Sequence, residues 1–196
     1  VQVDTTQSDS VRQFLHESSA RWGGLDAIVS ATGPAIPLCP LSEVDEQDFR
    51  RIYEADVLGS FNVLKQGAAL LKTTGGGAMV LFVTTAVLRT LDNDGMSGCP
   101  KSAVAALLRQ MAREAGPANV RCNGVAPGVI DAGIVHSSFA ISDVAKNVIA
   151  DCMNKTPMGR MGQAEEIAAA VLWLCSDQAS FVTGHPLVVD GGSTAV

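Results

Sequence analysis

The 196-residue sequence is short of charge, short of aromatic residues and without any long apolar run. Charged side chains make up 17% of it against 47% hydrophobic ones, too apolar a balance for a disordered chain. The longest apolar stretch, Ile167 to Cys175, is about half the ~18 residues of a membrane-spanning helix. No basic tract occurs and the formal net charge is −6, so neither a nucleic acid nor an anionic membrane is expected as a partner. The opening, VQVDTTQSDS, lacks the basic-then-apolar pattern of a secretory leader. Five cysteines (Cys39, Cys99, Cys122, Cys152 and Cys175) are odd in number and never form a CxxC pair. That pattern predicts no disulfide framework, no metal site and a reduced, cytoplasmic location. A glycine-rich phosphate cradle is missing too, since neither TGxxxGxG nor GxGxxG occurs. Gly75-Gly76-Gly77 leads into an apolar segment, whereas a cradle must follow a strand and open a helix, so it predicts a turn. The chain opens with Val1, and the expectation is that translation does not begin there.

What the sequence does contain is a steady alternation of strand and helix patterns. VQVD predicts the end of a strand. Thr6 to Trp22 predicts a helix with Val11, Phe14, Leu15 and Ser18 on one face, opened by Thr6-x-x-Asp9 and closed by Gly23-Gly24. DAIVS predicts the next strand and a Pro-rich loop follows. A long helix from about Asp45 to Lys72 places Phe49, Ile52, Leu64 and Leu71 among its apolar positions. AMVLFV predicts a strand buried on both faces. Lys101 to Ala115 predicts a helix burying Val104, Leu107, Leu108 and Met111, and NVRCNGVAP a further strand. Gly133 to Arg160 predicts a looser helical excursion. A helix from about Gln163, with Glu165 and Glu166 favoured by the dipole of its first turn, buries Ile167, Ala170, Val171 and Leu174. PLVVD closes the series. The fold class expected is α/β, one domain over 1–196 built on a mostly parallel sheet.

Three segments carry a resemblance to a known family. DAIVSATG stands where short-chain dehydrogenases/reductases have a strand ending in Asn-Asn-Ala-Gly. RCNGVAPGVI stands where they have a strand ending in Asn-x-x-x-Pro-Gly. The block from Thr156 to Gly192 matches in order, through Glu165-Glu166-Ile167 to Val189-Asp190-Gly191-Gly192. The sequence therefore resembles that family from its third strand onward. The resemblance implies a Rossmann-like, doubly wound parallel sheet, NAD or NADP as cofactor, and oxidation or reduction of a small alcohol or carbonyl compound. The family's first two βα units have no counterpart here, so the domain is expected to be N-terminally incomplete. With the usual strand order those units separate strand three from the rest, so VQVD would lose its neighbour and a central strand would become an edge.

The resemblance also implies a set of site residues. Relatives use an Asn in the long helix, a Ser or Thr after strand five, and the Tyr and Lys of Tyr-x-x-x-Lys. The tyrosine hydroxyl handles the proton, its pKa of about 10 lowered by the nearby ammonium. Lys101 matches the lysine, while Ser97 stands at the tyrosine position. Tyr53, the single tyrosine, sits in the long helix and does not fit the motif. Thr84 or Thr85 supplies the strand-five hydroxyl, and Asp56 takes the place of the asparagine, where its carboxylate is expected to pair with Lys101 without restoring the missing acid. Ala132 stands where a Thr is common. For the cofactor, the resemblance implies Asp4 beside the adenine amino group and Ser30, Ala31 and Gly33 along the adenosine ribose. Lys101 would hold the nicotinamide ribose, and Pro127, Gly128, Val129 and Ile130 pass the carboxamide.

Plainer readings stand beside these. Ser97 reads as a helix N-cap with Pro100 in the first turn, or, with Lys101 at i+4, as a Ser–Lys hydrolase dyad. Cys99 reads as a packed small residue. His16, His136 and His185 show no ligand spacing, and Met158 and Met161 read as gap-fillers. Three functions remain open: a divergent NAD(P)-dependent oxidoreductase, a non-catalytic nucleotide-sensing or scaffold relative, and non-redox chemistry with Asp56 as base. By the same resemblance, the Asp45–Lys72 and Lys101–Ala115 helices imply a homodimer or homotetramer.

Overall fold

The structure, a computed structural model, describes residues 1–133, 135–136 and 143–195, the side chain of Asp143 excepted. Part of the expected excursion, residues 134 and 137–142, lies outside the described residues. Four strands, β1 (Ala27–Ser30), β2 (Gly77–Phe82), β3 (Val120–Pro127) and β4 (Pro186–Val189), form one parallel sheet in the order β1-β2-β3-β4. Around it lie helices α1 (Ser8–Trp22), α2 (Glu46–Tyr53), α3 (Gly59–Thr73), α4 (Gly95–Ala115), α5 (Asp143–Asn154) and α6 (Ala164–Cys175).

Strand period explains the two layers. Met79 and Leu81 of β2 and Val120, Cys122 and Ala126 of β3 point to one face, into a core with Leu64, Ala68 and Leu71 of α3 and Val104 and Leu108 of α4. Val80 and Val125 point to the other and meet Ile167, Val171 and Leu174 of α6. Helices on both faces of a parallel sheet make the fold Rossmann-like and doubly wound, as expected. Burial pushes the Cys122 thiol up to about 12, which leaves it an inert core residue.

Several local expectations change. Val1–Asp4 is not a strand, because among the described residues no strand lies beside it to take its hydrogen bonds. The residues just after it are held by Asn62 of α3, whose Nδ2 donates to the Thr5 and Thr6 carbonyls at 2.9 and 3.1 Å. Gly59 permits this approach, since a Cβ there would stand 2.8 Å from Thr5 Oγ1. Helix α1 begins at Ser8 and Gln7 is its N-cap, so the Thr6-x-x-Asp9 box does not form; the Thr6 hydroxyl donates to Asp4 at 2.7 Å instead. Gly23, at φ 75°, stops the helix as predicted. Phe14 and Phe49 are exposed rather than buried. Strand β1 is a sheet edge, with Val29 47% exposed. The Gly75–Gly77 turn and the first-turn glutamates of α6 stand as read, with Glu166 Oε2 accepting the Gln163 N–H at 2.8 Å.

The face of β3 toward α6 carries one fully buried polar side chain, Asn123. Its Nδ2 donates to the Val182 carbonyl at 2.8 Å, and its Oδ1 accepts the His185 N–H at 3.2 Å. It thus ties the loop before β4 to the sheet. Asn123→Ala leaves the half-buried Val182 carbonyl and the His185 N–H without their partner, so urea unfolding should show a loss of about 1–2 kcal/mol. A change below about 0.5 kcal/mol would mean that the loop re-pairs without it.

Candidate functional site

In open parallel sheets, ligands bind outside the carboxyl ends of the strands. There the loops after β1, β2 and β3 enclose a cavity of about 560 Å³. Its wall brings together Ala31 and Gly33, Thr84, Pro127, Gly128 and Ile130, and the side chains of Asp56, Ser97 and Lys101. A smaller cavity of about 190 Å³ adjoins it, lined by Thr85, Arg89, Asp94, Cys152 and Lys155 among others. Thr84 and Ser97 border both cavities.

The long helix reaches the cavity in an unexpected way. Between α2 and α3 the chain widens into a π turn over Glu54–Leu58, with Asp56 inside it. Such turns shift the helical register and recur at functional sites. Asp56 Oδ1 accepts the Lys101 ammonium at 2.8 Å, with side-chain exposures of 3% and 13%. This ion pair joins two helices 45 residues apart in sequence. A Cβ on Gly33 would lie 3.6 Å from Asp56 Oδ1 and 3.9 Å from Lys101 Nζ, so Gly33 leaves the pair open to the cavity.

Helix α4 starts at Gly95, not Lys101, with Asp94 at the N-cap position. This overturns the reading of Ser97 as an N-cap and puts Pro100 inside the helix. Ser97 and Lys101 thus sit one turn apart on one face, both toward the larger cavity. Cys99, read as packed, is exposed. Thr84 Oγ1 accepts the Ala86 N–H at 3.2 Å and so fixes the turn after β2. Gly128 is demanded by crowding, because a Cβ there would approach Asp190 Cα to 2.8 Å.

Two expected cofactor residues stand apart. Ser30 is buried behind the wall, within 3.2 Å of the Thr32 hydroxyl. Asp4 is exposed, accepts from the Thr6 N–H at 2.9 Å and lines neither cavity. Tyr53 stacks on Phe49, ring centroids 4.3 Å apart, and also lies outside the cavities.

Sequence reasoning missed Asp94. Its carboxyl caps no helical N–H, although that is what an aspartate at this position ordinarily does. Burial pushes its pKa up to about 6, and the nearby Ser97 side chain pulls it only part of the way back. Because the folded pKa lies above the ordinary 3.8, the folded state binds more protons than the unfolded one between about pH 4 and 6. Stability therefore falls as pH rises through that window, and the full cost is present above it. Asp94→Asn removes the cost. At about 1.4 kcal/mol per pKa unit, less an allowance for partial exposure, the variant should be more stable by about 1–2 kcal/mol at pH 7.5. Calorimetry should show its Tm raised by roughly 3–6 °C at that pH, and the gap closing near pH 4. A gap that does not depend on pH would contradict the burial of this carboxyl.

Among the described residues, no helix is long and apolar enough to cross a membrane. The family model described as Enoyl-(Acyl carrier protein) reductase matches residues 1–194. Cis-4-hydroxycyclohexanecarboxylate dehydrogenase of Sinomonas cyclohexanicum is 35% identical over all of this chain, which covers 76% of that protein. A short-chain type dehydrogenase/reductase from Mycobacterium ulcerans superposes with a TM-score of 0.89 at 32% identity, over 98% of this chain and 69% of its own. A 7α-hydroxysteroid dehydrogenase complexed with NADH and 7-oxo glycochenodeoxycholic acid superposes with a TM-score of 0.82 at 31% identity, over 98% of this chain and 72% of its own. Agreement in sequence and in fold along nearly the whole chain makes this protein a member of the short-chain dehydrogenase/reductase family of oxidoreductases.

Proposed function

We propose that the protein is an NAD(P)-dependent oxidoreductase acting on a small alicyclic alcohol or ketone, with an active site altered at two positions. The observation that carries this reading is the convergence of Thr84, Ser97 and Lys101 on one cavity at the carboxyl ends of the strands. The larger cavity suits the nicotinamide-ribose half of a dinucleotide. Lys101 would hold the ribose, Ala31 and Gly33 would let the nucleotide approach the backbone, and Pro127, Gly128 and Ile130 would pass the carboxamide. Bound there, the nicotinamide supplies or accepts a hydride. Thr84, on the partition between the cavities, orients the substrate oxygen toward Ser97. The smaller cavity then takes the body of the substrate. Its Arg89 and Lys155 suit a carboxylate, in keeping with the hydroxycyclohexanecarboxylate named for one relative.

Fluorescence titration with NADH and NADPH tests the reading, followed by NAD(P)-dependent oxidation of cis-4-hydroxycyclohexanecarboxylate and a 7α-hydroxysteroid. Micromolar binding of one nucleotide is expected, weakened about tenfold or more in Lys101→Ala, which removes a charged hydrogen bond. Absence of binding to either nucleotide would sink it.

A second reading, a nucleotide-binding relative without turnover, draws support from the same altered positions. Ser97 lacks the acidity and reach of a phenol, and Asp56 neutralises the Lys101 charge. Binding without oxidation or reduction across the probes would favour it. The third, Asp56 as a base in non-redox chemistry, has less support, because Lys101 already engages that carboxylate. Homodimer or homotetramer formation is supported by Phe49, Leu58 and Phe61, exposed along α2, the π turn and α3. A monomer mass in sedimentation at micromolar concentration would count against it.

A further inference from the structure

We propose that Asp94 and Ser97 form a proton relay, in which the Ser97 hydroxyl on the partition between the two cavities passes protons between a substrate oxygen and the Asp94 carboxyl. The geometry begins at the start of α4. The Asp94 backbone carbonyl accepts the N–H groups of Ser97 and Gly98, each at 3.1 Å, while its side chain caps none. The carboxyl is therefore not spent on the helix end, and it shares the wall of the smaller cavity with Ser97, three residues further along α4. Ser97 borders the larger cavity as well, so its hydroxyl connects Asp94 to the place where a substrate oxygen meets Thr84.

Other charged groups near Asp94 come from two neighbouring segments. Arg89, from the loop after β2, donates to the Ser193 carbonyl at 2.7 Å, and Lys155, just past α5, pairs with Asp151. Both cations line the smaller cavity with the Cys152 thiol, which Asp94 helps to push up after burial. Asp92 and Asp151 lie around an adjacent hollow that shares Cys152. Neither cation is ion-paired to Asp94, and its burial lets it hold a proton close to neutral pH. An ordinary surface aspartate would already have released it.

In alcohol oxidation the substrate O–H bond breaks and its proton passes to Ser97 Oγ as the serine's own proton passes to Asp94 Oδ. The C–H electron pair leaves as hydride to an oxidised nicotinamide nucleotide, and a carbonyl forms. Reduction runs the same path backwards. Because the serine gives and takes a proton together, it never carries a full negative charge, which removes the objection that an aliphatic hydroxyl is too weak an acid. The relay rests on the oxidoreductase reading above.

Two measurements on the full chain test it. In a carboxyl-detected NMR titration, one aspartate should titrate near pH 6, vanish in Asp94→Asn and move to higher pH in Ser97→Ala. With the alcohol probes named above, kcat/KM for oxidation should fall tenfold per pH unit below about 6. Asp94→Asn should flatten that limb and lower the rate at pH 7.5 by about a hundredfold, while Asp94→Glu restores the limb. Titration near pH 4, no response to Ser97→Ala, or an unchanged pH profile in an active Asp94→Asn would each overturn the relay alone. A wild type that shows the expected titration yet oxidises none of the probes overturns the oxidoreductase reading and the relay with it.

Discussion

Replacing Ser97 with tyrosine should raise carbonyl reduction about a hundredfold or more, the usual scale of a positioned general acid. Ser97 already stands one helical turn before Lys101 and faces the same cavity, so a phenol placed there points where a proton donor is needed. Space is available, because the position lies on the partition between the 190 and 560 Å³ cavities. The obstacle is electrostatic. A tyrosine is made a better acid by a neighbouring ammonium, but here the Asp56 carboxylate lies 2.8 Å from Lys101 Nζ and cancels much of that field. Asp56→Asn added to Ser97→Tyr should therefore gain about another tenfold, equivalent to about 1.4 kcal/mol, while Asp56→Asn alone should gain little. Steady-state reduction of a cyclohexanone carboxylate with NADH and NADPH in the four backgrounds measures both effects. No gain in either tyrosine background would place the deficiency elsewhere in the cavity.

Asp56→Ala should be among the most destabilising single substitutions in the chain. It leaves the Lys101 ammonium in a site only 13% exposed, without its partner. Removing one member of a buried pair costs about 3–5 kcal/mol, because the remaining charge stays desolvated. For a chain of this size that corresponds to a Tm lower by about 10 °C. Asp56→Asn keeps an acceptor for the ammonium and should lose about half as much. The double variant Asp56→Leu/Lys101→Met removes both charges and should recover most of the stability while binding nucleotide about tenfold or more weakly. Thermal unfolding and NADH fluorescence on the same samples separate these outcomes. A loss below about 1 kcal/mol in Asp56→Ala would show that water or another acceptor replaces the carboxylate.

The two variants probe the same cluster from opposite sides. Asp56 supports the fold and sets the field at Lys101, whereas Ser97 sets how a proton reaches the cavity. Asp94 belongs to the second group: its ionisation costs stability above about pH 6, a cost expected where a group is kept for its chemistry.

Much of the architecture was legible in the sequence because it depends on local order. The unbroken apolar run of AMVLFV, the apolar positions of NVRCNGVAP, the 3.6-residue spacing in α1, α3 and α6, and the Gly23 and Gly75–Gly77 stops are all signals carried by neighbouring residues. The resemblance carried Thr84, Ser97, Lys101, Pro127, Gly128 and Ile130 to what proved to be one cavity. The tertiary structure decided the rest. Val1–Asp4 has a strand's composition but no partner strand beside it among the described residues, and a strand is a pairing between segments rather than a property of one. Pro100 suggested a helix beginning beside it, yet the chain turns helical five residues earlier, at Gly95. The Asp94 carboxyl carries no local signature at all, and the Asp56–Lys101 pair was foreseen only because the resemblance puts both residues at one site. Charge pairing across 45 residues and a pKa pushed up by burial exist only once the chain has excluded water from around those groups.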